Sequence, residues 1–294
     1  MDSRQLEVFA AVAREGSFTR AAERLHLVQS AVSATIAALE SDLGERLFDR
    51  TTRHVRPTAA GHALLPHADR IRDAFQAARD AVEAVSGGLS GSIRIGYMTN
   101  VTLFDIPDLL GRFSREHPDV TMHLTPAATG TAGLAEGLRR GDLDLAFLSA
   151  TPADYPALRI DVLASSPLGL TVPAGHPLAG RDHIRLAETA ALRFVCYREG
   201  FATRTLFDAE FRRHGLHRDV RFETSDTNDF AALVASGLGV GFLPEYLAGP
   251  DPRLHWIPVQ DADLRMPVSI GTSPAHTLSA AAARLAALAR SEAA

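Results

Sequence analysis

The stretch Ser17 to Glu40 constrains this chain more than any other, because it reads as two short helices separated by room for a tight turn only. Ser17 is placed to cap the first, its hydroxyl accepting from the amide of Thr19 or Arg20, and Ala21, Ala22 and Leu25 then make one small apolar face. After a turn around His26 to Val28, the residues Val32, Ile36, Leu39 and Leu43 recur at helical spacing and form the buried stripe of a second helix. Upstream, Leu6, Phe9, Ala10 and Ala13 give an apolar face to a helix from about Arg4 to Glu15. Three short helices meeting through small residues fit a helix-turn-helix, in which the second helix of the pair enters the major groove.

The helical pattern stops at Leu43-Gly44 and gives way to a short β-ribbon with Arg50, Arg53 and Arg56 around its tip, a wing able to reach a minor groove or phosphates. Residues 3 to 61 carry Ser17-Phe18-Thr19-Arg20-Ala21-Ala22, Gln29-Ser30-Ala31-Val32-Ser33, Leu39-Glu40, Leu47-Phe48-Asp49-Arg50 and Pro57-Thr58-Ala59-Ala60-Gly61. In these motifs the chain resembles the winged helix-turn-helix of LysR-type transcriptional regulators. The DNA-contact candidates are Ser17, Thr19, Gln29, Ser30, Ser33, Thr35, Arg50 and Arg53. The sequence departs from the family where Ser30 replaces the usual proline and Ala34 and Thr35 replace polar or basic residues. Gln29 retains the bidentate pattern that reads adenine, whereas Ala34 can only touch a thymine methyl. Modest base readout, assisted by DNA shape and paired half-sites, is therefore expected.

Composition bounds the alternatives. At 294 residues, with 46% apolar and 22% charged residues, the chain has room for about two ordinary globular domains. Its net charge of -5 argues against indiscriminate nucleic-acid binding, although charges through Gly61 balance. All 30 basic residues are arginine, so every charged phosphate contact is a guanidinium fork. Cys196 is the only cysteine, which excludes an intramolecular disulfide and a cysteine zinc site. With no leader and no long apolar run, a cytoplasmic chain without membrane contact is expected.

From Thr58 a helical pattern runs to Val85, with Leu64, Ala68, Ile71, Phe75, Ala78, Val82 and Val85 alternating in steps of four and three. Such a seam implies a partner helix, and the resemblance makes it the family's dimerising linker. At about 1.5 Å per residue it spans roughly 40 Å. Pro66 within it predicts a bend without a break. Beyond Ser86-Gly87-Gly88-Leu89-Ser90-Gly91 the pattern changes to short strands and helices, which predicts parallel α/β sheets. Gly141-Asp142-Leu143-Asp144-Leu145-Ala146 and Ser236-Gly237-Leu238-Gly239-Val240-Gly241 are similar to the LysR-type effector-binding domain, whose fold is like type II periplasmic binding proteins. The expected architecture is an all-α winged helix-turn-helix head (1–58), a linker helix (59–86), a flexible linker (87–91) and a two-lobed α/β effector-binding domain (92–294). Lobe I is expected at about 92–163 and 268–294, and lobe II at about 164–267.

In open α/β sheets ligands lie beyond the carboxyl ends of strands, where helix N-termini present amides. That rule selects Thr99 and Asn100, Thr129 to Thr131 and Ser149 from the first lobe and Phe201 to Thr203 and Asp226 to Asn228 from the second, with Thr99, Asn100, Thr129, Thr131, Ser149, Phe201, Thr203 and Asn228 as the contact candidates. Their hydroxyl and amide chemistry suits a small organic anion held without covalent change. Cys196, in an apolar strand, is read as a core thiol in preference to a redox sensor. No metal motif, P-loop or nucleophile elbow occurs, so neither a catalytic residue, a cofactor nor a metal is expected. A solute-binding protein of transport shares the two-lobed domain but has no use for the N-terminal head. The resemblance implies double-stranded operator DNA, a small-molecule effector, a second copy or three more of the chain, and RNA polymerase as partners.

Overall fold

The structure, a computed structural model, describes residues 1–50, 55–85 and 89–293. The chain divides into two compact units, one up to residue 86 and a second made of nearly all the remainder.

The first unit begins with helix α1 (Ser3–Glu15), started by a capping box in which Asp2 accepts from the amide of Gln5, and stopped by Gly16 in the left-handed region. Ser17 caps α2 (Phe18–Arg24), accepting from the amide of Arg20 at 3.4 Å. The turn is made by His26, which takes a φ of 53°, and α3 (Gln29–Leu43) comes next. Val32, Ile36 and Leu39 are fully buried with Phe9 and Ala21, as the periodicity predicts. Leu43 is not: it lies 38% exposed in the last turn before Gly44, where the helix has already run past the core. Strands β1 (Phe48–Arg50) and β2 (Val55–Pro57) form the antiparallel wing. The Glu40 carboxylate accepts from the amides of Leu47 and Phe48, at 2.8 and 3.2 Å, and so fixes the approach to it.

Helix α4 (Ala59–Val85) runs unbroken through Pro66. Its seam divides. Ala68 is 3% exposed and, with Leu64 and Ile71, packs on the core of its own head, while Phe75 is 57% exposed and Ala78 is exposed too. The reading of all seven positions as a partner seam is corrected for the first three, because α1 covers that end of the helix. The side chains of Val82 and Val85 lie outside the described residues.

The second unit comprises β3 (Gly91–Tyr97), α5 (Ile106–Glu116), β4 (Val120–Pro126), α6 (Gly130–Arg139), β5 (Leu145–Leu148), β6 (Arg159–Pro173), α7 (Leu186–Thr189), β7 (Arg193–Tyr197), α8 (Ala202–Arg213), β8 (Asp219–Thr224), α9 (Phe230–Ala235), β9 (Gly241–Pro244), α10 (Glu245–Ala248), β10 (Leu254–Pro258), β11 (Arg265–Thr272) and α11 (Ala280–Glu292). Gly91 belongs to β3 and not to a linker. The sheets are mixed, which corrects the parallel expectation: β3 pairs in parallel with β4 and β5, and β7 with β8, but β11 is antiparallel to β5 and β6. The cause is β6, fifteen residues long, whose first part pairs β11 and whose last part pairs β9 and β10. It exchanges partners at Pro167 and Leu168, slightly beyond the boundary expected at 163, and so serves both lobes. Lobe I packs around Leu138, Leu148 and Ile160, lobe II around Leu170, Phe194 and Phe242. The Arg290 guanidinium donates to Asp161 at 2.7 Å, returning α11 to lobe I.

Candidate functional site

On the head, the outward face of α3 carries Gln29 and Ser30 exposed, with Ser33 and Thr35 half-buried. Two of these groups are engaged locally: Gln29 Nε2 donates to Ser33 Oγ at 3.1 Å, and Thr35 Oγ1 donates to the carbonyl of Ala31 at 2.8 Å. Thr35 thus offers lone pairs only, whereas Gln29 and Ser33 form an adjacent polar pair one turn apart. Thr19 is exposed, and Ser17 is occupied as the cap. In the wing, exposed Arg56 stands opposite Asp49, and Arg50 opposite Val55. The Arg50 side chain and the whole of Arg53 lie outside the described residues.

In the second unit a cleft between the lobes has two connected chambers. One is lined by Thr99, Asn100, Thr131, Ser149, Phe201 and Thr203, six of the eight contact candidates from sequence. The starts of α6 and α8 face it, so helix dipoles favour negative charge there. Not one of its lining side chains carries a formal charge. Thr131 and Ser149 are each 5% exposed, and the Ser149 amide donates to Thr131 Oγ1 at 3.3 Å. Among the described residues three buried hydroxyls have no hydrogen-bond partner, and two of them, Ser149 Oγ and Tyr246 OH, belong to residues that line this chamber, the third being Thr171 Oγ1 in β6. Burial pushes the Tyr246 phenol up to about 12, so it remains a donor at neutral pH.

Two selected residues do not line the cleft, which corrects the sequence reading. Thr129 is exposed ahead of α6, where the turn through Gly130 carries it away from the cavity. Asn228 is exposed because its amide is held by Asp226 Oδ1 at 2.8 Å and the Asp226 amide by Thr224 Oγ1 at 2.9 Å; these local turns delay α9 until Phe230 and rotate Asn228 outward. Thr227 takes its place. Its hydroxyl shares a hydrogen bond of 2.5 Å with Thr99, and its carbonyl accepts from Asn100 Nδ2 at 3.0 Å. The lobes also meet where the Ala132 amide donates to the carbonyl of Gly200 at 3.0 Å. Gly130 and Gly200 face each other there at φ of 68° and 94°, and a Cβ on Gly130 would lie 2.6 Å from that carbonyl. Sequence reading missed Tyr197 and Tyr246 because they sit on a strand end and a one-turn helix brought into the cleft only by lobe pairing.

Cys196 is buried, and that burial pushes its thiol up despite the neighbouring Arg218 and Arg204 guanidiniums. Arg218 donates toward its sulfur at 3.6 Å while pairing with Asp208. The thiol is thus a neutral core group. Among the described residues no group of histidine, cysteine and carboxylate side chains is arranged to hold a metal, and no helix is long and apolar enough to cross a membrane.

Comparison with known proteins agrees with this architecture. Residues 3–62 match the family model of the bacterial regulatory helix-turn-helix protein, lysR family, and residues 86–294 match the LysR substrate binding domain. The HTH-type transcriptional regulator ShiR of Corynebacterium glutamicum (strain R) is 36% identical over 82% of this chain and 81% of its own length. An uncharacterized HTH-type transcriptional regulator of Bacillus subtilis (strain 168), YybE, is 33% identical over 83% of each chain. The crystal structure of full-length CbnR complexed with its target DNA is 26% identical, covers 99% of this chain and 100% of that one, and superposes with a TM-score of 0.61. Helix-turn-helix, wing, linker helix and two-lobed cleft thus come together in one chain, which belongs to the LysR family of DNA-binding transcriptional regulators and is not an enzyme.

Proposed function

We propose that this regulator binds a pseudo-palindromic operator as a homodimer or homotetramer, and that a small organic anion in the cleft between its lobes alters that binding. The observation that carries the reading is the convergence of α6 and α8 on a chamber lined by hydroxyls and free of carboxylates. Such a site compensates negative charge with dipoles and neutral donors, as helix-terminus anion sites do. The exposed Phe75 and Ala78 on α4 supply the start of a dimer seam, which sets two heads on successive half-sites. Gln29 and Ser33 read bases, and the wing arginines contact phosphate or minor groove. RNA polymerase is the further partner in this reading, and the cytoplasm its place of action.

Occupation of the cleft shifts the lobes between arrangements of different DNA affinity, a population shift driven by differential binding. The experiment measures binding of the purified chain to its own upstream intergenic DNA at two salt concentrations, with and without a panel of small organic acids. A specific, salt-weakened complex altered by one acid is expected. Response only to cations or large neutral molecules overturns the anion, and a complex indifferent to Gln29→Ala but abolished by Arg53→Ala overturns base reading by Gln29.

A further inference from the structure

The turn between α2 and α3 sends two adjacent apolar residues in different directions. His26 bends the chain at a φ of 53°, after which Leu27 packs on the core of the head and Val28 is left 68% exposed, more than any other large apolar side chain among the described residues. Val28 is also the N-cap of α3, and its side chain accepts nothing from the first-turn amides. A serine, threonine, aspartate or asparagine there would cap the helix, as Asp2 caps α1 and Ser17 caps α2. A β-branched hydrocarbon gives up that hydrogen bond and gains little burial in exchange, so the stability of the head does not account for it.

The surroundings of Val28 are the reading surface. Next to it stand Gln29 and Ser30, both exposed, and a turn further Ser33. From Leu27 to Leu39 no side chain is charged, and Gln29 Nε2 is already engaged with Ser33 Oγ, so this face is short of uncommitted hydrogen-bonding groups. In a helix-turn-helix the N-terminal residues of the second helix meet base edges in the major groove, where the apolar feature of a base pair is the C5-methyl of thymine. We propose that Val28 covers one thymine methyl in each half-site and so selects thymine over cytosine at a position that Gln29 does not read. The isopropyl group and the methyl exclude water from each other, whereas cytosine would place its amino group against a surface with no acceptor. This rests on α3 being the base-reading helix.

In the test, the full-length chain selects duplexes from a random pool, and each thymine of the resulting consensus is replaced singly by deoxyuridine, which lacks only the methyl. At one thymine in each half-site the replacement is expected to weaken binding at least about threefold, the gain from burying one methyl group. Val28→Ser should bind the two duplexes within about 1.5-fold of each other, and Gln29→Ala should keep the threefold difference. Because Val28→Ser restores a capping hydroxyl, its melting temperature should equal or exceed that of the unmodified chain, which separates lost reading from lost fold. If Val28→Ser binds no duplex, the same comparison is made with Val28→Ala. Indifference of every thymine to loss of its methyl, or a difference that persists without Val28, overturns the assignment and leaves the exposed side chain to a protein partner. A pool that yields no consensus overturns base reading by α3 as a whole, and the part of Val28 with it.

Discussion

Gly61 shows at a single residue how the head is closed. It needs no unusual backbone angle, but a methyl group there would collide with the carbonyl of Leu47 and lie 3.0 Å from Pro57 Cβ, so α4 can start against the wing only without a side chain. Gly61→Ala is expected to cost about 1–3 kcal/mol in chemical denaturation of the head. Cys196 makes the opposite case, a reactive side chain silenced by its surroundings. Its folded thiol titrates above its unfolded value, so its contribution to stability is complete below the unfolded value and is lost as pH rises through the folded one. Alkylation of the native chain at pH 8 should run at least tenfold slower than that of free cysteine, as followed by mass spectrometry. Arg198 is the arginine nearest to it in sequence, yet Arg218 and Arg204 are the ones near its sulfur. Arg198 lies just past the end of β7, and the arginines that matter come from the residue before β8 and from α8.

At the scale of elements, legibility followed where the physical signal is local. Caps at Ser17 and stops at Gly16 and Gly44 are written in side chains within one turn of the boundary, and those helices are found where the sequence predicts them. The first part of β6 and all of β10 escaped prediction, because their pairing partners lie far along the chain and their own periodicity is weak. Helix α4 presented a different difficulty. An apolar stripe states that something covers it, not what, and along this helix the cover changes from the chain's own head at Ala68 to solvent in this single chain at Phe75. Phe75→Asp, on the uncovered stretch, should therefore leave the melting temperature of the head within about 2 °C while weakening self-association at least tenfold in analytical ultracentrifugation. Equal destabilisation of both would place Phe75 in the head's fold instead.

For the whole molecule, six of eight cleft residues were legible because strand ends and helix starts recur at the mouth of an α/β sheet. The pairing of lobes that brings Tyr197 and Tyr246 among them is a property of topology, and no short window of sequence contains it. That topology has a further consequence for how the protein is made. Lobe II is an insertion within lobe I: β3, β4 and β5 precede it, while β11 and α11 come after it. As the chain grows from its N-terminus, the head and the beginning of its linker helix have their whole core available early, and lobe II can complete before its host. Lobe I alone must wait with the edge of β5 unfilled until β11 emerges. The sensing half therefore matures from the inside outward, and the growing polypeptide holds a DNA-reading head before it holds a cleft that can govern it.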